Sequence, residues 1–192
     1  MAAPATEQSL MSETIAGLLR ALYGKPCWNV QHGYWLSFLT FDFGEPRVVI
    51  HEPREQFQPR EGEKRSWRHK RMASVRGEWH LRIDDCSWLI FQDDEPIGHS
   101  EDSNEEQDRA VVRLQGQALI EAVITPDGRR TRFTFDLGGV IHTRAWTDQA
   151  DHPRVQWTLA DSTGYWLSIR EDGKYNYVRD DAPRDTWEWL PL

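Results

Sequence analysis

Apolar residues recur along this chain with two different periods, and the first period is helical. Within residues 7–23 the apolar positions follow one another at three- and four-residue spacing: Leu10, Met11, Ile15, Leu18, Leu19 and Leu22. This spacing places them on one face of an α-helix. Gly24 and Pro26 follow, and both residue types favour the end of a helix. The pattern therefore predicts an N-terminal helix over residues 7–23.

Beyond this helix the period changes to two, which is typical of half-buried strands. Residues 79–83 and 131–137 alternate most regularly. Strand-length segments fill residues 117–179, and tight turns such as Gly138-Gly139 and Asp172-Gly173 separate them. Because parallel strands need longer connections, this half of the chain predicts an antiparallel β-meander.

The number of predicted strands restricts the fold class. About ten strands in one chain must close on themselves or fold into two layers to cover their edges. We therefore expect a mainly β fold, either an antiparallel up-and-down β-barrel or a two-layer β-sandwich, with the N-terminal helix packed on it. A length of 192 residues indicates one domain spanning residues 1–192.

Two charged segments interrupt the strand pattern. Residues 53–71 are rich in Arg and Lys and contain two prolines, which predicts a basic loop. Residues 93–108 hold eight acidic residues and no Lys or Arg. Ser103 followed by Glu106 is a capping-box pattern, which predicts a short helix over residues 104–114. A strand over residues 110–114 is the alternative.

Charge and composition exclude several classes of protein. The formal net charge is −8, which the acidic segment carries alone, so the rest of the chain is neutral. The longest apolar run is four residues, too short to span a membrane. Two cysteines exclude a disulfide scaffold and a four-cysteine zinc site. The N-terminus lacks a secretory signal, and Arg outnumbers Lys 19 to 4, so we expect a cytoplasmic protein from a GC-rich bacterium.

Catalytic motifs are absent, and no cofactor is predicted because the chain has no Gly-x-Gly or phosphate-binding loop. Two candidate pairs remain. Cys27 and His32 could supply a thiol nucleophile and its base, but a strand that enters the sheet with a buried thiol explains the same residues, and we favour this interpretation. Glu78 and His80 share one face of a predicted strand, about 7 Å apart, and could ligate a metal or move a proton. A solvated strand face also explains this pair, and without a third ligand no metal site is predicted.

The ten tryptophans are the most unusual feature of the composition. We expect most of them in the core, since several share a strand face with aliphatic residues. The predicted exceptions and their basic neighbours form the candidate binding residues: Trp67, Arg65, Arg68, Arg71, Trp187 and Trp189. The basic residues around Trp67 could grip phosphates, but the acidic segment nearby in the chain argues against nucleic acid as the partner.

Three runs carry a resemblance to other proteins: Lys25-Pro26-Cys27-Trp28-Asn29-Val30-Gln31-His32-Gly33, Gly77-Glu78-Trp79-His80-Leu81 and Thr134-Phe135-Asp136-Leu137-Gly138-Gly139. Together they resemble a family of uncharacterised proteins from GC-rich bacteria. The resemblance implies a bacterial source, and it brings no activity, cofactor or catalytic residue.

These observations favour a non-catalytic binding domain over an enzyme. An acidic domain with a charged loop and no catalytic motif fits a protein that masks a partner, as an immunity protein masks a basic toxin. The first alternative is a β-barrel that binds a small apolar ligand in an aromatic-lined cavity. The second is a hydrolase-type enzyme that uses Cys27 with His32 or Glu78 with His80.

Overall fold

The computed structural model describes residues 7–33, 38–53, 70–146 and 153–192. The two α-helices are α1 (Glu7–Arg20) and α2 (Asn104–Val112). The strands in chain order are β1 (Cys27–Gly33), β2 (Phe38–Phe43), β3 (Arg47–His51), β4 (Met72–Arg76), β5 (Trp79–Ile83), β6 (Cys86–Gln92), β7 (Glu95–His99), β8 (Leu119–Ile124), β9 (Arg130–Phe135), β10 (Gly139–Ala145), β11 (Val155–Asp161), β12 (Tyr165–Arg170), β13 (Lys174–Arg179) and β14 (Leu190–Pro191). A 3-10 turn, Arg184–Thr186, lies between β13 and β14.

The strands form two main antiparallel sheets. The larger sheet has seven strands in the order β1-β2-β5-β11-β12-β13-β14, and the smaller has five in the order β7-β6-β10-β9-β8. Neither sheet closes into a barrel, so the fold is sandwich-like. The predicted mainly β class with an N-terminal helix is confirmed, and of the two predicted architectures the structure has the two-layer one.

Large apolar side chains from both sheets fill the space between them. Phe133 of the smaller sheet contacts Trp157 of the larger one edge to face, with ring centroids 5.5 Å apart. The indole Nε1 of Trp157 also donates a hydrogen bond to Oγ1 of Thr131 at 2.9 Å. Phe41 and Phe135 meet across the same interface at 6.3 Å. The two layers therefore share one hydrophobic core.

The predicted meander over residues 117–179 is divided between the two sheets. Strands β8, β9 and β10 belong to the smaller sheet, whereas β11, β12 and β13 belong to the larger one. Each triplet alternates apolar and polar residues, so each has one apolar face to bury. One continuous sheet would leave that face exposed, and crossing to the second layer buries both triplets against each other.

Both predicted helices are present. Ile15, Leu19 and Leu22 are buried, as the apolar stripe predicts, and α1 ends at Arg20, three residues before the predicted end. The start of α2 has the predicted capping box, in which Ser103 Oγ accepts from Glu106 N–H and the Glu106 carboxylate accepts from Ser103 N–H. The acidic segment also contains β7, which the sequence analysis did not predict.

A third, two-stranded sheet consists of β3 and β4 and projects as a ribbon from β2 and β5. Its Val48, Ile50 and Val75 side chains are exposed. The ribbon leads into residues 54–69, so most of the predicted basic loop over 53–71 lies outside the described residues.

Candidate functional site

The outer face of the larger sheet, which points away from the core, carries four buried polar side chains: Thr40, Asp42, Ser168 and Asn176. Strand alternation explains their direction, because their sequence neighbours, such as Phe41 and Leu167, face the core. Cross-strand pairing arranges this face in two rows. The first row runs through Asn29, Asp42, His80, Ala160 and Trp166, and the second runs through Thr40, Arg82, Thr158, Ser168 and Asn176. We call these two rows the polar face.

Asp42 is the centre of the first row and is completely buried. Its Oδ1 accepts hydrogen bonds from the Gly77 N–H at 3.0 Å and from His80 Nδ1 at 3.0 Å. Its Oδ2 accepts from the amide of Asn29 at 2.7 Å. Burial by itself would raise the pKa of Asp42, but these hydrogen bonds outweigh burial and hold the pKa below its ordinary value. Asp42 is therefore a buried carboxylate at neutral pH.

The carboxylate of Asp42 fixes the orientation of the His80 ring. Because Nδ1 bonds to Asp42, the ring is held with Nε2 on the side away from the carboxylate. Nη1 of Arg76 lies 3.3 Å from Nδ1 and 3.4 Å from Nε2, which places the guanidinium against the ring. The His80 side chain is 18% exposed, so a buried acid positions an imidazole that a partner can reach.

Arg82 extends the polar face beside His80. Its guanidinium carbon lies 4.3 Å above the ring of Phe38, and its Nη2 lies 2.7 Å from Oδ2 of Asp84. Trp166, at the end of the first row, has 38% of its surface exposed. The accessible part of the polar face therefore combines a histidine, an arginine and a tryptophan.

Asn176 ends the second row and is also completely buried. Within the described residues, neither its amide nitrogen nor its amide oxygen has a hydrogen-bond partner. A buried polar group without a partner costs roughly 1–3 kcal/mol. Hydrogen bonding within the described fold therefore does not account for an amide at this position.

The candidate pair Cys27 and His32 is not brought together. Both residues lie on β1, but Cys27 pairs with Phe43 and His32 pairs with Leu39. Their partners Phe43 and Leu39 are four residues apart on β2, which corresponds to roughly 13 Å along an extended strand. This separation excludes a direct contact between Cys27 and His32. Burial raises the pKa of the Cys27 thiol to about 12, and Sγ donates to the Leu114 carbonyl oxygen at 2.9 Å. A thiol protonated at neutral pH is not a nucleophile.

The candidate pair Glu78 and His80 is divided between different partners. Glu78 lies just before β5, and its Oε2 forms an ion pair with Nζ of Lys25 at 2.9 Å. His80 instead bonds to Asp42. The sequence analysis missed Asp42, and its one local signal is an acidic residue between two phenylalanines in an apolar strand.

Three of the six candidate binding residues, Trp67, Arg65 and Arg68, lie outside the described residues. Arg71 is exposed and pairs with Glu52 at 2.8 Å.

The C-terminal candidates, Trp187 and Trp189, are half-buried. The guanidinium of Arg170 lies 4.3 Å from the centroid of the Trp189 ring. Nε1 of Trp187 donates to the carbonyl oxygen of Ala182 at 3.2 Å. Because Arg170 belongs to the outer side of β12, Trp189 adjoins the polar face.

The expectation that most tryptophans lie in the core was wrong. Of the eight in the described residues, only Trp88 and Trp157 are buried. The others are half-buried or exposed: Trp28, Trp79, Trp146, Trp166, Trp187 and Trp189. A shared face with aliphatic residues identified Trp157 correctly, but the burial of the others depends on which layer covers them.

The described residues contain no group of three or more His, Cys, Asp or Glu placed to hold a metal ion. No helix in the described ranges is long and apolar enough to cross a membrane. Comparisons of the chain with models of protein families, with curated proteins and with solved structures found no match.

Proposed function

We propose that the protein is a non-catalytic binding domain that contacts a partner protein through the polar face of the seven-stranded sheet. The observation that carries the proposal is the completely buried carboxylate of Asp42, which orients the accessible ring of His80. Burying a charge costs free energy that an apolar residue would avoid. A role in presenting His80 to a partner explains why the strand carries an acid here.

The composition of the accessible surface supports a protein partner. Trp and Arg are enriched among residues that dominate the binding energy of protein interfaces. Arg82 of β5 and Trp166 of β12 provide such side chains, with β11 between the two strands. Arg76 adds a cation beside His80, whereas Arg82 is paired with Asp84 and His80 bonds to the Asp42 carboxylate, so this surface carries charges of both signs. This differs from the sequence hypothesis, in which the acidic segment faces a basic partner.

The alternatives have less support in the geometry. The sheets do not close into a barrel, and Phe41, Phe133 and Trp157 fill the space between them, so the interior is not an aromatic-lined ligand cavity. Neither pair proposed for a hydrolase is assembled, since Cys27 and His32 lie apart and Glu78 bonds to Lys25.

Site-specific photo-crosslinking in cells of the source organism tests this proposal. A photoreactive amino acid in place of Thr158 lies on the polar face, and one in place of Val123 is the control on the outer face of the smaller sheet. We expect one discrete protein adduct from position 158 and none of the same size from position 123. Because the contact is electrostatic in part, the adduct yield falls as salt rises.

Point variants make the test specific for the polar face. His80→Ala and Arg82→Gln are each introduced into the protein that carries the photoreactive residue at position 158. Each is expected to reduce the adduct yield at least roughly fivefold, since residues at the centre of an interface carry most of the binding energy. Arg179→Gln removes the same charge from an exposed site and is expected to leave the adduct intact. Absence of an adduct, or an adduct that persists in His80→Ala, contradicts the proposal.

A further inference from the structure

Two arginines lie directly opposite each other on the outer face of the smaller sheet. Arg130 of β9 pairs in register with Arg144 of β10. Within the described residues, neither guanidinium has a carboxylate partner. Like charges at directly opposed positions of an antiparallel pair destabilise a sheet. Two guanidinium groups that line one groove can both donate to a single anion, and we call this pair the arginine cradle.

A groove of about 540 Å³ lies over these arginines, and Ser87, His99 and His142 also line it. A second groove of about 420 Å³ begins on the other side of His142. Phe91 and Thr134 line this second groove. His142 lines both, so the two grooves adjoin at this side chain, and we call them together the depression. Each volume lies in the range of small-molecule sites.

An aromatic pair separates the two grooves. The rings of Phe91 and His142 have centroids 5.2 Å apart, with an angle of 53° between their planes. Burial lowers the pKa of His142, and the nearby charge of Arg132 lowers it further, so the ring is neutral at neutral pH. Because the two uncharged rings are tilted by 53°, a planar ring can stack on the face of one and contact the edge of the other.

The spacing between the arginine cradle and this aromatic surface suits one nucleotide. Arg144 and His142 are two residues apart on the same face of β10, which corresponds to roughly 7 Å. A nucleoside 5′-phosphate separates its phosphate from its base by a similar distance. We infer that this depression binds a nucleoside monophosphate, with the phosphate between Arg130 and Arg144 and the base against Phe91 and His142.

Acidic groups around the depression restrict the ligand further. Asp94, Glu121 and Arg132 line the second groove. Because Glu121 is paired with Arg132 at 2.7 Å, Asp94 is the carboxylate that can accept a hydrogen bond from the amino group of a base. Glu101 lines the first groove. A nucleic-acid strand would bring further phosphates close to these acids, whereas a single nucleotide has one anionic end. The charges therefore favour a mononucleotide over a strand.

Isothermal titration calorimetry with AMP and GMP tests the inference. We expect at least one of them to bind the full-length protein, and inorganic phosphate to bind more weakly. Arg130→Gln and Arg144→Gln each lower the affinity roughly tenfold or more, because each removes a charge-assisted hydrogen bond to phosphate. Arg113→Gln, which removes an exposed charge outside both grooves, leaves the affinity unchanged.

Further ligands and variants separate the two halves of the site. Phe91→Leu is expected to weaken nucleotide binding and to leave phosphate binding unaltered, with thermal melting confirming that the variant folds. Equal affinity for phosphate and for AMP or GMP excludes the role of the base. Three other results overturn the inference. They are equal affinity for adenosine and AMP, tighter binding of a single-stranded oligonucleotide than of AMP or GMP, and no binding at millimolar nucleotide. His80→Ala leaves nucleotide affinity unchanged, so this result is independent of the polar face.

Discussion

Asp42 departs furthest from what its own strand predicts. Its neighbours Phe41 and Phe43 face the core, so alternation directs the carboxylate outward, toward solvent in a simple sandwich. It is nevertheless completely buried, because residues from β1 and β5 and the Gly77 backbone surround it. These partners come from positions 29 to 80 of the chain. Sequence reasoning could place Asp42 on the outer face of a strand, but it could not predict the burial.

The lowered pKa of Asp42 predicts a specific dependence of stability on pH. The folded state holds this carboxyl proton more weakly than the unfolded state, whose pKa is near 3.8. The stabilisation is therefore present above that pH and is lost as the pH falls through the lower pKa of the folded state. We expect the wild-type free energy of unfolding in urea to fall more steeply below pH 4 than that of Asp42→Asn, by at most about 1.4 kcal/mol per pH unit.

The control for this experiment is Thr158→Val, which alters the polar face without removing a titratable group. Its free energy of unfolding is expected to depend on pH as in wild type. At pH 7 the Asp42→Asn variant is expected to be less stable by about 1–3 kcal/mol, because a single amide oxygen replaces two acceptor oxygens. If the free energy of unfolding falls equally steeply with pH for wild type and Asp42→Asn below pH 4, the lowered pKa of Asp42 is contradicted.

Among the secondary-structure elements, α2 shows where local sequence suffices, and β7 shows where it does not. Four residues, from Ser103 to Glu106, contain the complete capping box, so the helix could be predicted within the acidic segment. The hairpin that joins β6 to β7 has Asp93 and Asp94 at its two central positions, both with positive φ. Asn-Gly or Asp-Gly is the usual sequence for such turns. Because Asp-Asp does not match it, the sequence analysis recognised neither the turn nor β7.

The capping box of α2 predicts the effect of one substitution. Ser103→Ala removes the hydroxyl that accepts from the Glu106 N–H, and this N–H then lacks its partner within the helix. We expect the free energy of unfolding to fall by about 1 kcal/mol in urea denaturation.

Ser162→Ala, at an exposed turn between β11 and β12, is the matched control and is expected to stay within about 0.5 kcal/mol of wild type. An equal loss in both variants would show that the cap contributes no more to stability than an ordinary surface hydroxyl.

For the molecule as a whole, the contact between the two layers determines stability. Trp157 joins them, since its ring packs against Phe133 and its Nε1 donates to Thr131. The acidic segment includes β7 and α2, whereas Arg82 lies on the larger sheet and Arg130 and Arg144 lie on the smaller one. The net charge of −8 therefore describes neither candidate binding surface.

Trp157→Phe is expected to destabilise the whole domain. The variant loses a buried hydrogen bond and leaves a cavity between the sheets, which together cost about 2–4 kcal/mol. Because the core is shared, far-UV circular dichroism and tryptophan fluorescence are expected to report one coincident urea transition in wild type and variant.

Trp166→Phe, on the exposed side of the larger sheet, provides the comparison and is expected to change the free energy of unfolding by less than about 0.5 kcal/mol. Separate transitions for the two probes would show that the sheets unfold independently, which contradicts the shared core.

Periodicity in the chain determined the elements of this protein, because the direction of a side chain on a helix or strand depends on the spacing of nearby residues. It identified α1, the capping box of α2, most strands and the mainly β class. Tertiary structure decided which strands share a sheet, where residues 117–179 divide between layers, and which polar groups meet. The polar face around Asp42 and His80 and the cradle of Arg130 and Arg144 both depend on cross-strand register. Register joins residues that are distant in the chain, so no local pattern in the sequence encodes it.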